Sequence, residues 1–188
     1  MSLVDLIARA DDRGLAASGL ACLDRCVPLL GGDDETLRPL WAALADDADA
    51  TAWGDLLKQV RGALDPADGD GDGGGDEAVV LAGRMLEAAP AERRAAELRR
   101  WADACSVASL QIHRLLDPAA DPSPLDSRRS GRTEGMPPLV AAELRRQVTV
   151  LEVLAGHGAG GMRRALEVST EGRRVLRAVV SRRARGVR

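Results

Sequence analysis

Between Ala91 and Asp117 the chain reads AERRAAELRRWADACSVASLQIHRLLD, and Leu98, Trp101, Cys105, Ala108, Ile112 and Leu115 recur at alternating steps of three and four. That spacing stacks the six side chains along one face of an α-helix. Arg93, Glu97, Arg99, Arg100 and Asp103 fall away from the seam, so the first half is amphipathic. Val107 and Leu110 then add apolar surface on the other sides. A helix apolar nearly all round is covered by neighbours, so this stretch is expected to be the central helix of a bundle.

The rest of the sequence agrees with an all-helical fold. There is no Phe or Tyr and only three Trp, while the apolar residues are mostly Ala, Leu and Val. Ala and Leu favour helix, and the scarcity of aromatics argues against a β-sandwich or barrel. The expected architecture is a single all-α domain over 1–188, a bundle of about six helices ending in a helical hairpin, with two flexible loops. All but one of the 26 basic residues are Arg, which with the Ala and Gly content reads as a GC-rich, bacterial-type coding bias.

Charge divides the chain. Residues 1–90 carry 7 basic and 18 acidic side chains, a net of −11, and residues 91–188 carry 19 and 11, a net of +8. The two halves are expected to neutralise each other within one folded unit, and an acidic partner for the basic half is the alternative. The start, MSLVDLIARADDRG, lacks the features of a signal peptide, and no apolar run reaches the ~20 residues of a membrane span. Three cysteines cannot all pair within the chain. A cytoplasmic protein with reduced thiols and no membrane association is the expectation.

In chain order, 1–64 is an acidic helical half. Ser2 caps a helix over Leu3–Ala10, and Gly14 loosens the chain after it. Leu15, Gly19, Leu23, Cys26 and Leu30 continue at helical spacing, with Pro28 shortening that helix and Gly31–Gly32 stopping it. Leu37, Leu40, Trp41 and Leu44 mark the next buried face, and Trp53, Leu56, Leu57, Val60 and Leu64 the one after. Residues 65–76 form a Gly/Asp linker and 77–117 the central helices. Residues 118–137 form a Pro-rich, mobile loop, and 138–186 a basic hairpin with arms lined by Val140, Leu144, Val148, Leu151, Leu154 and by Met162, Leu166, Leu176, Val179. The last residues, RRARGVR, read as a frayed basic end.

Several residue patterns invite a chemical reading. From Asp68 the run DGDGDG meets the first, third, fifth and sixth positions of an EF-hand loop, but Val79 stands where the bidentate Glu belongs. The run also resembles the DxDxDGxxCE calcium-binding motif of extracellular bacterial proteins, with Asp76 in place of its Cys. An acidic linker is the preferred reading. Cys22 and Cys26 share a helical face, and Cys105 and His113 lie on the central helix. Together these four are the candidate zinc ligands, weighed against plain core filling because no CxxC pair is present. His113 falls beside the seam, where a partly solvated ring would resemble the phosphoacceptor of histidine phosphotransfer domains, but QIHRLLD lacks their small and basic residues. A structural role at the helix margin is expected.

HExxH, GxSxG and GKS/T are absent, and the acidic cluster Asp46, Asp47 and Asp49 has no second cluster to share a magnesium ion. No enzymatic activity and no cofactor are expected. The leading reading is a non-enzymatic interaction or regulatory protein with a protein partner, or a homodimer joined along the hairpin's Leu/Val/Ala seam. The second is a nucleic-acid-binding regulator using Arg173, Arg174, Arg177, Arg182, Arg183 and Arg185. The third is a small-molecule- or metal-binding bundle.

Overall fold

A computed structural model describes residues 1–46, 50–64 and 73–186, and these contain nine α-helices and no strand. Asp47, Asp49 and the Asp68–Asp72 run lie outside the described residues. The helices are α1 (Leu3–Arg9), α2 (Asp12–Cys26), α3 (Arg38–Asp46), α4 (Ala50–Ala63), α5 (Gly73–Glu87), α6 (Ala95–Leu116), α7 (Leu125–Arg129), α8 (Pro138–His157) and α9 (Met162–Gly186). The six longer than ten residues account for the expected bundle, and α8 and α9 form the expected hairpin. None of the described helices is long and apolar enough to cross a membrane.

The first helix starts as the sequence suggests. Ser2 and Asp5 form a reciprocal capping box, in which each side chain bonds the other's backbone N–H. Gly14, however, does not break the chain. It sits in the first turn of α2 and donates its N–H to Asp11 Oδ1 at 2.7 Å, so Asp11 is the cap and the helix runs on to Cys26. Pro28 then opens a 3-10 turn over Val27–Leu30, closed by Gly31 at φ 73°, a left-handed conformation that glycine adopts without strain.

The most buried helix is α2 rather than α6. Thirteen of its 15 residues are buried, and it packs against α3, α5, α6, α8 and α9. Small side chains allow this close approach. A Cβ on Gly19 would lie 2.6 Å from two ring carbons of Trp101, so α6 rests its indole directly on the α2 backbone. Trp101 also donates Nε1–H to Met85 O at 2.9 Å and meets Trp53 edge-on at a centroid distance of 6.3 Å. One face of α6 therefore seals α2 to α4 and α5.

Three segments expected to be loose are helical in whole or in part. The Pro-rich stretch contains α7, whose Arg128 and Arg129 are buried. Arg128 pairs with Asp121 at 2.7 Å and donates to the carbonyls of Arg132 and Glu134, folding the loop around one guanidinium. At the C-terminal end α9 remains helical to Gly186, where fraying was expected. The backbone of α5 likewise begins at Gly73, four residues before the expected start.

Arginines also hold the helix ends. Arg99 donates to Ile7 O and Ala8 O at the end of α1, Arg61 to Leu86 O and Glu87 O at the end of α5, and Arg183 to Leu115 O at the end of α6. Last-turn carbonyls lack intrahelical partners and carry the negative end of the helix dipole, so a cation from a neighbouring element satisfies both.

Candidate functional site

Two buried charge clusters join α2 to the C-terminal helices. The first is centred on Glu143 of α8, which is fully buried. Its Oε1 accepts from Arg25 Nη2 at 2.7 Å, Ser109 Oγ at 2.7 Å and Gln147 Nε2 at 2.8 Å, and its Oε2 accepts from Arg25 Nε at 2.8 Å. Ser106 Oγ donates to Gln147 Oε1 at 2.7 Å and itself accepts from Arg129 Nε at 3.2 Å. Arg129 in turn pairs with Asp103. The network exists because α6 carries a second seam, Ala102, Ser106, Ser109, His113 and Leu116, at steps of four and three, opposite Glu143 and Gln147 on α8.

Burial pushes the Glu143 carboxyl up, but the charge of Arg25, reinforced by its hydrogen bonds, outweighs burial and holds the group at about 2. Burial drives His113 the other way, below its ordinary 6.5, with Glu143 opposing and Arg25 and Arg146 assisting. The ring is not partly solvated as expected. It is fully buried, with Nδ1 2.7 Å from Ser109 O and Nε2 3.6 Å from Glu143 Oε2. A neutral ring therefore carries its proton on Nδ1 and donates to that carbonyl.

Acid sensitivity follows from both groups. The unfolded chain binds protons that the folded chain refuses, so stability falls as pH falls. The His113 contribution is lost below about pH 6.5 and the Glu143 contribution between about pH 4.5 and 2. Asp24, raised by burial, opposes this trend in part. Urea midpoints measured from pH 8 to pH 3 should decline in two stages, and His113→Asn should remove the first. A midpoint flat down to pH 4.5 in the native chain would refute the assignment.

The second cluster lies where α9 crosses α2 and the segment before α3. Arg173, 3% exposed, pairs with Asp24 and donates Nε–H to Asp34 Oδ1 at 3.1 Å. Trp41 Nε1 donates to Asp24 Oδ2 at 3.3 Å, and Arg177 pairs with Asp34 at 3.0 Å. A cavity of about 240 Å³ opens beside them, lined by Asp34, Arg38, Trp41, Thr170 and Arg174 among others.

The sequence-derived candidates separate in space and in role. Cys22 accepts from Arg25 Nη2 at 3.4 Å, and Cys26 Sγ lies 3.8 Å from Ser109 Oγ. All three thiols are free and buried, and burial pushes the Cys22 thiol up to about 12 and raises Cys26 and Cys105 as well. Such thiols stay protonated and make poor nucleophiles or metal ligands. Among the described residues no three His, Cys, Asp or Glu side chains group around one metal position, and His113 faces Glu143 instead of the cysteines. Of the six arginines, Arg173 is buried, Arg177 is paired with Asp34, and Arg183 is held by Leu115 O. Arg174, Arg182 and Arg185 are exposed. The hairpin seam is used within the chain, since Leu144, Leu151, Leu154, Met162 and Leu176 are buried.

Sequence reading missed Arg25, Glu143 and Gln147. The available signal was the spacing Val140, Leu144, Gln147, Leu151, Leu154, which places a polar residue in a buried heptad position. No family model, curated protein or solved structure matches the chain.

Proposed function

We propose that the chain is a non-enzymatic helical interaction protein that binds an acidic segment of a partner protein through the end of α9. The observation behind this reading is one exposed face carrying Arg174, Arg182 and Arg185, with the small, exposed Ala178 between them. None of the three arginines forms an ion pair with a described residue, unlike Arg173 and Arg177 on the same helix. Unpaired guanidiniums on a rigid helix suit carboxylates, which they bind bidentately. The Glu143 carboxylate, the His113 imidazole and the three thiols are fully buried, so recognition at the surface arginines is the reading these groups leave open. Single-stranded nucleic acid is disfavoured because no aromatic side chain lies on this face for base stacking, and duplex DNA because the chain carries a net charge of −3.

Fluorescence anisotropy with a labelled Glu-rich peptide and with duplex DNA tests the reading, using the full chain at 50 and 300 mM salt. The peptide should bind at low salt, weaken at high salt, and be lost in R174E/R182E/R185E, whose positions are exposed and leave the fold intact. Binding of DNA alone would transfer the face to a nucleic-acid regulator. Binding of neither would overturn the proposal.

A further inference from the structure

The Glu143 cluster contains more positive than negative charge. Arg25 and Arg146 both cross Gly172 of α9, where an added Cβ would lie 2.3 Å from Arg25 Cδ and 2.9 Å from Arg146 Cδ. Among the described residues Glu143 is the fully buried carboxylate that pairs with Arg25, the nearby Asp24 being taken by Arg173, while the Glu171 carboxylate stands 3.8 Å from Arg146 with 75% of its side chain exposed. Two cations thus share one buried anion. Arg25 Nη1, Arg146 Nη1 and Ser169 Oγ are buried and have no hydrogen-bond partner among the described residues. Ser169 lies one turn before Gly172 on the same face of α9, and Arg25 and Ser169 are both fully buried.

We infer that Arg25, Arg146 and Ser169 form an internal binding site for a small monovalent anion of halide size. The Arg25 and Arg146 side chains meet over Gly172, one turn from Ser169 on α9, and the two N–H groups and one O–H can each donate to an anion. Bound there, the ion would neutralise the excess charge and satisfy donors whose burial is otherwise costly. A monovalent ion is favoured because desolvation cost rises steeply with charge, and a phosphate dianion would lose far more hydration on entering. His113 stands outside this donor set. With its proton on Nδ1, its Nε2 is an acceptor and would repel the ion.

Thermal unfolding of the full chain at constant ionic strength, with sodium gluconate exchanged for sodium bromide, provides the test. The midpoint should rise by about 5 °C at saturating bromide, the size expected when a ligand binds only the folded state of a chain this long. Ser169→Ala and Arg146→Gln should each abolish the rise. Bromide-grown crystals should show an anomalous peak between the guanidinium groups of Arg25 and Arg146. An equal rise in both variants, or an ordered water alone at that position, would overturn the site, and the crystal result stands even if a variant fails to fold.

Discussion

Glu143→Ala should destabilise the fold by about 4 kcal/mol, and Arg25→Ala by a similar amount, in urea unfolding followed by tryptophan fluorescence. Each change strands a partner in the interior. Without Glu143, the Arg25 guanidinium keeps its burial but loses two charge-assisted bonds, and Ser109 and Gln147 lose their shared acceptor. The double change R25M/E143L should cost much less than the two single changes together. It removes the desolvation penalty along with the attraction, and buried ion pairs replaced by apolar residues of similar volume are often near neutral. A loss below about 1 kcal/mol for Glu143→Ala would mean that water reaches the pair and that the interior is not closed.

Trp101→Ala should cost about 4 kcal/mol, because it opens a cavity at the junction of α2, α5 and α6 and frees the Met85 carbonyl. Gly19→Ala acts from the opposite side. Its methyl would meet the rigid indole at 2.6 Å, which predicts a loss of about 2 kcal/mol through overpacking. The two effects should not add. Once the ring is gone, the methyl at position 19 enters the space it left, so the double variant should be close to Trp101→Ala alone. Strict additivity in a double-mutant cycle would show that the Gly19 loss does not come from this contact, and helix propensity, which favours Ala over Gly, would not account for it either.

Much of the fold was legible because helices announce themselves locally. The Ser2–Asp5 cap, the Leu98–Trp101–Cys105–Ile112 seam and the apolar lines of the hairpin are all written within one or two turns of sequence. The site was less legible, for a physical reason. Arg25 and Glu143 are 118 residues apart, and nothing near either residue reveals that the other will neutralise it. A charge in a buried position reads as a solvated one until its partner is known. His113 was misplaced similarly: periodicity put it off the apolar seam, but α6 has two buried faces and His113 belongs to the second. In the Pro-rich loop, low apolar content suggested mobility, whereas Arg128 organises it through carbonyls and one carboxylate. The arginine bias hid the same lesson, since Arg61, Arg99 and Arg183 close helix ends belonging to other elements.

The placement of α2 also constrains how the chain can reach its folded state. Asp24 meets Arg173 across 149 positions and Arg25 meets Glu143 across 118, so an early helix has its last partners near the far end. During translation at ~5–20 residues per second, α2 leaves the ribosome on the order of ten seconds before α9. Over that interval α3, α5 and α6 become available to pack on α2, but the side taken by α8 and α9 and the partners of Asp24 and Arg25 are still missing. Closing so long a loop is slow compared with forming the helices themselves. Docking of the terminal hairpin onto α2 is therefore expected to come after the helices form, and until it is complete the nascent chain stays open to chaperones, proteases or aggregation.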